Sequence, residues 1–420
     1  MVVNKTAMVS VIKKVLGYLD IRLVSHGERV AYILLKMLEQ ENLYTKEEIR
    51  DLVFLGLVHD IGAYKTEEID NIMEFEEKRP NDHAIYGYLF LKHFSPFSKY
   101  VETVLFHHVD NNSIKDFESD YLDLGLRFHF ADRIDFVYKF MNETNPDAFL
   151  NRYKNRFSDL DILLFSKINN EKQVIKKLKD GSFESELNEF FDNNPFSYDY
   201  LIKFLEMLAY IIDFKSEFTV THNIMVVTIA QQLALSFNLN KEEIEKIKLA
   251  AWLHDIGKIA TPIDILEKPG KLTKEEMDIM KKHILYSEEI VRGLVNDEVV
   301  NIAIRHHEKL DGSGYPYGLT SKDLTFSDRI LAVSDIISAL ANKRSYKEAF
   351  DKERIITILN EMVEANKICG TIVERFINNF DIIMNDATLE AKHTIEEYLN
   401  IKEEFRYYSD LLEAKRKVNQ

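Results

Sequence analysis

Ten of the thirteen histidines in this chain fall into two sets of five with the same order and similar spacing. The first set is His26, His59, His83, His107 and His108; the second is His222, His254, His283, His306 and His307. In each set an aspartate directly follows the second histidine, Asp60 and Asp255, and a later one lies in a helical context, Asp132 and Asp335. Equivalent positions are offset by 196 and 195 residues at the first two pairs, then by 200, 199 and 203. A near-constant offset with slow drift is what a duplicated domain with small loop insertions leaves. The chain must therefore fold as two similar halves, each gathering its own histidines.

The segments between the histidines carry apolar residues at helical spacing. Val30, Ile33, Leu34 and Met37 share one helix face, as do Ile244, Ile247, Leu249 and Leu253 leading into His254. Residues 323–340 read as a loop followed by an apolar helix. Period-2 runs bounded by turns are scarce, and 14 Gly and 7 Pro give little punctuation, so the fold class expected is all-α. The first domain is placed at 1–165 and the second at 205–383. Between them 166–204, rich in Lys, Glu, Asn and Ser with the turn signal Asn194-Pro195, reads as a linker. A charged helix follows over 384–420. Its residues Tyr398, Ile401, Phe405, Tyr408 and Leu412 form a heptad seam too short for a coiled coil, suited to docking on the second half or to a homodimer.

A net charge of −16 argues against a DNA or RNA surface, which needs clustered Lys and Arg, but permits a small anion in a locally basic pocket. The single cysteine, Cys369, excludes an internal disulfide and fits a reducing cytoplasm, the expected location. No apolar run reaches the ~18 residues of a membrane span. The first twenty residues, with Lys13, Lys14 and Asp20, read as an amphipathic helix, not a secretory signal.

His222, His254, Asp255, His283, His306, His307 and Asp335 offer five imidazoles and two carboxylates without a thiolate. One tetrahedral ion cannot use so many donors. The set suits two first-row ions with an aspartate between them, iron or manganese rather than magnesium. Such a pair can activate a bridging hydroxide for in-line attack on phosphorus. Gly312 and Gly314, just beyond His306-His307, give a loop that bends and lets a ligand approach.

Three long blocks make the second half resemble the HD-GYP phosphodiesterases of the HD superfamily. They are HDIGKIATPIDILEKPGKLTKEE from His254, HHEKLDGSGYPYGL from His306, and DRILAVSDIISAL ending at Leu340. The resemblance covers residues 217–350. It implies hydrolysis of a cyclic dinucleotide, chiefly cyclic di-GMP to pGpG or GMP. The mixed cyclic GMP-AMP dinucleotide and a catalytically silent receptor stand as alternatives. By motif position the seven residues above are the metal ligands, and Asp255 and Lys258 are catalytic, with Lys258 at the scissile phosphate. Gly314, Tyr315 and Pro316 form the substrate loop, and Arg344 and Lys347 hold the phosphates. Some family members bind a third metal through a glutamate four residues before the first histidine. Here that place is Phe218, with Glu217 one residue off, so two metals are expected and a third is left open.

The first half resembles an HD domain of the same kind, eroded. Its ligand set, His26, His59, Asp60, His83, His107, His108 and Asp132, forms a candidate second metal centre. Ala63 replaces the lysine, with Lys65 two residues on, and no GYP loop follows His108. Met141 and Thr144 stand where the basic pair would be. A metal-bound regulatory or dimerisation domain is the main reading, with a second active site for another phosphoester and a metal-free scaffold as alternatives.

Overall fold

The computed structural model describes residues 8–65, 81–112, 117–140, 150, 152, 154–215, 220–342 and 350–418. Among them every regular element is helical; the extended pairings are two isolated bridges, Arg292 with Val295 and Asp311 with Thr320. The fold is all-α, as expected, and Met8–Leu19 is a helix. The chain divides into two compact units. The N-terminal unit is Ile12–Phe196 with Asn400–Gln420, and the C-terminal unit is Ser197–Leu399 with Met1–Val11.

In the N-terminal unit α1 (Ile21–Glu41) starts at Asp20, whose carboxylate accepts the Arg22 N–H at 2.7 Å, and stops at left-handed Asn42. Val30, Ile33, Leu34 and Met37 are fully buried along it. A capping box between Thr45 and Glu48 opens α2 (Lys46–Val58), which delivers His59 at its C-terminal end. Helices α3 (Asp82–Phe94) and α4 (Leu122–Phe140) carry His83 and Asp132.

Residues 166–204 look like a spacer by composition, yet they are largely helical. Phe183, Leu187 and Phe191 recur every four residues and are buried. Phe183 meets Tyr32, Phe191 meets Phe54, and the Tyr32 hydroxyl donates to Glu186 at 3.0 Å. One narrow apolar stripe is enough to dock a helix whose remaining face is charged.

In the C-terminal unit α5 (Val220–Ser236) carries His222. Asn240 caps α6 (Lys241–Leu253), which runs apolar into His254. A 3₁₀ turn, Ile256–Ala260, holds Lys258. Helix α7 (His283–Val291) opens with His283, α8 (Asp297–Ile304) ends just before His306, and α9 (Phe326–Ala341) carries Asp335.

The last helix, α10 (Phe380–Val418), is longer than the 384–420 expected of it. Its seam does not behave as the sequence implied. Phe405 stacks on Tyr86 at 4.1 Å, Tyr408 meets Tyr88 at 5.3 Å, and Glu404 pairs with Lys92 and His93, all in the N-terminal unit. An aromatic and cationic face on α3 matches this stretch, so these seam residues pack against the first half rather than the second. No helix among the described residues is long and apolar enough to cross a membrane.

Candidate metal centres

Histidine placement follows from helix-end chemistry. The last carbonyls of a helix lack intrahelical donors. In the C-terminal unit the Nδ1 atoms of His254, His283 and His306 each face the carbonyl three residues back, Ala251, Met280 and Ala303, all at 2.7 Å. His222 Nδ1 faces the Ser338 hydroxyl at 2.9 Å. Each contact fixes its ring and leaves Nε2 directed into the site, the arrangement that metal-bound histidines use.

The donors converge as two clusters, His222 with His254 and Asp255, and His283 with His306 and His307. Asp255 lies between them. Its Oδ2 is 3.3 Å from His254 Nε2 and 3.7 Å from His222 Nε2, while its Oδ1 is 3.3 Å from His283 Nε2. Asp335 also spans both, with Oδ1 3.3 Å from His222 Nε2 and Oδ2 3.7 Å from His307 Nδ1. Nε2 of His254, His283 and His306, and Oδ1 of Asp255, are buried without a hydrogen bond. Leaving four such atoms bare would cost several kcal/mol, roughly 1–3 for each. Cations among them would satisfy all four, so the residues fit metal.

The protonation states agree. Burial, opposed by the nearby carboxylates, holds His283 down to about 4 and His307 down to about 3. Burial would raise Asp255, but His254 and Lys258 hold it well below the usual carboxylate range. Burial likewise opposes the ionised form of Asp335, and His222 and His307 outweigh it. His254 is the exception, shifted upward because Asp255 outweighs its burial. Neutral imidazoles and ionised carboxylates are the forms that ligate.

Lys258 donates to Asp255 Oδ2 at 2.5 Å. The motif glycine beside it serves close approach. A Cβ on Gly257 would stand 2.0 Å from the His283 carbonyl oxygen and 2.4 Å from Ser287 N. Ser287 Oγ ties the motif together, accepting from Gly257 N at 2.8 Å and donating to the His254 carbonyl at 3.0 Å. The Gly312–Pro316 loop sits against the second cluster. Tyr315 N donates to the His307 carbonyl at 3.3 Å, and its ring lies 4.8 Å from that of His307, with Lys281 Nζ 5.3 Å from its centroid. Gly312 takes φ +80°, whereas Gly314 is needed for space, since a Cβ there would stand 2.4 Å from Glu308 Cα. The Tyr315–Pro316 peptide is cis. Burial first, then Asp255 and Asp335, push the Tyr315 phenol upward.

Glu308 was not singled out in the sequence, although it follows the paired histidines directly. Its buried carboxylate accepts from Tyr317 N at 2.7 Å and Leu319 N at 2.9 Å, and so holds the loop. Ser338 and Ser287 carried no sequence signal. Arg344, Lys347, Glu217, Phe218, Met141, Thr144 and the Lys65 side chain lie outside the described residues.

The first-half set also converges, as His26 with His59 and Asp132, and Asp60 with His83, His107 and His108. His59 and His107 again face carbonyls three residues back, Gly56 at 2.8 Å and Val104 at 2.6 Å. His26 differs from His222. It sits between Asp135, at 2.7 Å from Nδ1, and Asp132, at 3.0 Å from Nε2. Burial opposes its protonation, but these two carboxylates push it up to about 10.

A family model described as HD domain matches residues 206–372, and a second of the same description matches residues 23–136. The 3'3'-cGAMP-specific phosphodiesterase 1 of Vibrio cholerae is 26% identical over 379 residues, 85% of this chain and 87% of that protein. A cyclic di-GMP phosphodiesterase response regulator of Xanthomonas campestris is 40% identical over 162 residues, 34% of this chain and 42% of that protein. The chain thus spans less than half of that regulator. The crystal structure of a cyclic GMP-AMP specific phosphodiesterase of V. cholerae superposes with a TM-score of 0.52 at 18% identity, covering 90% of this chain and 97% of that one. At that identity the likeness speaks to the fold alone.

Proposed function

We infer the reaction from one premise: the chain belongs to the HD-domain cyclic-dinucleotide phosphodiesterases. We propose that its C-terminal unit hydrolyses the mixed 3'3'-cyclic GMP-AMP dinucleotide in preference to cyclic di-GMP. The observation that carries this order is extent. Similarity to the cGAMP-specific relative runs through 85% of the chain, and similarity to the cyclic di-GMP phosphodiesterase through 34%. The motifs alone put cyclic di-GMP first, because residues 217–350 carry no feature that separates the two. Cyclic di-GMP stays the second reading, since over the shorter span a phosphodiesterase for it reaches 40% identity and a cGAMP-specific one 42%.

His222, His254, Asp255, His283, His306, His307 and Asp335 would hold two divalent ions, iron or manganese, with one Asp255 oxygen turned to each cluster. Bound there, the ions supply Lewis acidity toward water and phosphate oxygens. Lys258 keeps an ammonium beside Asp255, where negative charge builds on the phosphate being cut. Tyr315, with Gly314 and Pro316, packs beside the second cluster, and its raised phenol stays a hydrogen-bond donor at neutral pH. Arg344 and Lys347 supply fork and point-charge contacts to the phosphates. Breaking one phosphodiester bond opens the ring to a linear dinucleotide, and a second cut gives mononucleotides.

The test is turnover of both dinucleotides by anaerobically purified chain loaded with iron or manganese. The expected result is a larger kcat/KM for the mixed dinucleotide, and loss of turnover by orders of magnitude in His254→Ala and in Asp255→Ala. Near wild-type turnover in either variant overturns the site. A larger kcat/KM for cyclic di-GMP overturns the substrate order alone.

A further inference from the structure

Three histidines of the C-terminal unit are anchored by groups that can only accept. His254, His283 and His306 turn Nδ1 to backbone carbonyls. A carbonyl requires the ring proton on that nitrogen. His222 is anchored differently. Its Nδ1 faces the Ser338 hydroxyl at 2.9 Å, and a hydroxyl can donate as well as accept. The remaining contacts decide between the two. Ser338 Oγ donates to the His222 carbonyl at 3.2 Å and accepts from Asn342 Nδ2 at 3.2 Å. Thr221 Oγ1 donates to Asn342 Oδ1 at 3.2 Å, which orients that amide. The His222 carbonyl can only accept, so the one hydroxyl proton goes there. Asn342 takes one lone pair and the other is left for Nδ1–H, which frees Nε2 of His222 to ligate. Ser338 is fully buried, so bulk water does not compete for these contacts.

This anchor is neutral and shared. A carbonyl or carboxylate behind a histidine raises its basicity toward a metal. An uncharged hydroxyl that already accepts from Asn342 does so less. The first half carries the stronger alternative on the same frame, because Asp135 occupies the position of Ser338, with Oδ2 2.7 Å from His26 Nδ1. The donor sets of the two clusters differ in the same direction. One has the imidazoles of His222 and His254, and the other those of His283, His306 and His307. Asp255 and Asp335 turn one oxygen to each cluster. With the carboxylates shared, the imidazoles set the difference in affinity for a first-row ion.

We propose that Ser338, held by Asn342, is a positioning residue that sets the His222 tautomer and leaves the His222 ion the more weakly held of the two. The C-terminal unit then keeps the ion at His283, His306 and His307 and exchanges the one at His222 and His254. Its centre is complete only when the second ion is supplied, so turnover follows the free concentration of that metal. The proposal rests on the two-ion reading of this site.

The experiment loads the full chain with manganese(II) and counts the metal retained per chain across a series of chelator-buffered free manganese concentrations. Ser338→Ala should weaken one binding step about 10- to 100-fold, the typical cost of losing a partner behind a metal-bound histidine, and leave the others in place. Ser338→Thr, which keeps the hydroxyl, should restore that step. The step moved should be weaker than the step that His283→Ala removes, and turnover should track it. Unchanged binding in Ser338→Ala, equal weakening of every step, or the reverse order of the two steps overturns the proposal. Should Ser338→Ala fail to fold, Asn342→Ala decides. It leaves the hydroxyl but releases it, and should weaken the same step by a smaller factor; no change there overturns the proposal. If the C-terminal unit binds no ions, His254→Ala and His283→Ala retain as much metal as wild type, and the two-ion reading falls with the proposal. Metal lost in those two variants but not in Ser338→Ala overturns the proposal alone.

Discussion

Replacing Glu308 by glutamine tests what holds the loop that carries Tyr315. The carboxylate is 2% exposed and gives one oxygen to Tyr317 N and the other to Leu319 N. Glutamine has the same shape but one acceptor, so one backbone N–H would face an NH₂ group. A hydrogen bond to a charged group contributes about 1.5–3 kcal/mol. At 1.36 kcal/mol per tenfold, the local opening equilibrium should rise about 10- to 160-fold. Amide hydrogen exchange reads this directly. Tyr317 and Leu319 should exchange faster by that factor, while the amides of α6 keep their rates. KM for the dinucleotide should rise with it, because Tyr315 sits in the same loop. Unchanged exchange at Tyr317 and Leu319 would refute the reasoning. So would an equal acceleration throughout the unit, which would make Glu308 a general stabiliser and not the holder of this loop.

Gly257→Ala should lower the melting temperature and the metal content together, because its Cβ would stand 2.0 Å from the His283 carbonyl and must push α7 away from His254. Overpacking of this kind costs about 1–3 kcal/mol, and a variant with unaltered melting and metal content would contradict the steric account. Glu48 is held down to about 2 by Lys99 first, then Tyr100 and the Thr45 N–H. Its folded value lies below its unfolded one, near 4.3, so its contribution is complete above that pH and fades as pH falls from there through about 2. Lys99 is 62% exposed, so solvent screening keeps the effect small. Glu48→Gln should therefore reduce urea stability more at pH 7 than near pH 2; the same deficit at both would remove the titration from the explanation.

The helical class and the convergence of both donor sets were legible because histidine order and apolar period survive in one dimension. His254 sits where it does because α6 ends there, and that end was visible in the run Ile247, Leu249, Leu253. Positions whose role depends on another part of the chain were not legible. Ser287 reads as an ordinary polar residue of a short helix until Gly257 N is seen on its hydroxyl. Residues 166–204 hid three buried apolar positions, Phe183, Leu187 and Phe191, beneath a charged composition. The α10 seam was recognisable as a seam, but the aromatic face of α3 that receives Phe405 and Tyr408 lies more than three hundred residues away in sequence. Asp135 could have been found by comparing the two halves position by position, because it aligns with Ser338 in the repeat.

The contrast between the halves lies in where each puts its cations. The C-terminal unit sets Lys258 on Asp255, the carboxylate between its two clusters. The N-terminal unit has Ala63 there, and instead sets Arg133 on Asp132 and Arg29 on Asp135. A lysine ammonium can give up one carboxylate contact and stabilise a phosphate, since it is a mobile point charge. A buried guanidinium bonded to a carboxylate through two nitrogens cannot do so without leaving both charges unpaired, at a cost of several kcal/mol. The loop follows the same division. Glu308 organises the backbone around Tyr315, and at the equivalent position Val109 is a buried apolar residue that can hold no loop by hydrogen bonds. Both halves keep the imidazole geometry because helix ends enforce it through carbonyls three residues back. On the proposed reading, the hydrolytic centre is set apart from its first-half counterpart by the handful of charges around that shared frame.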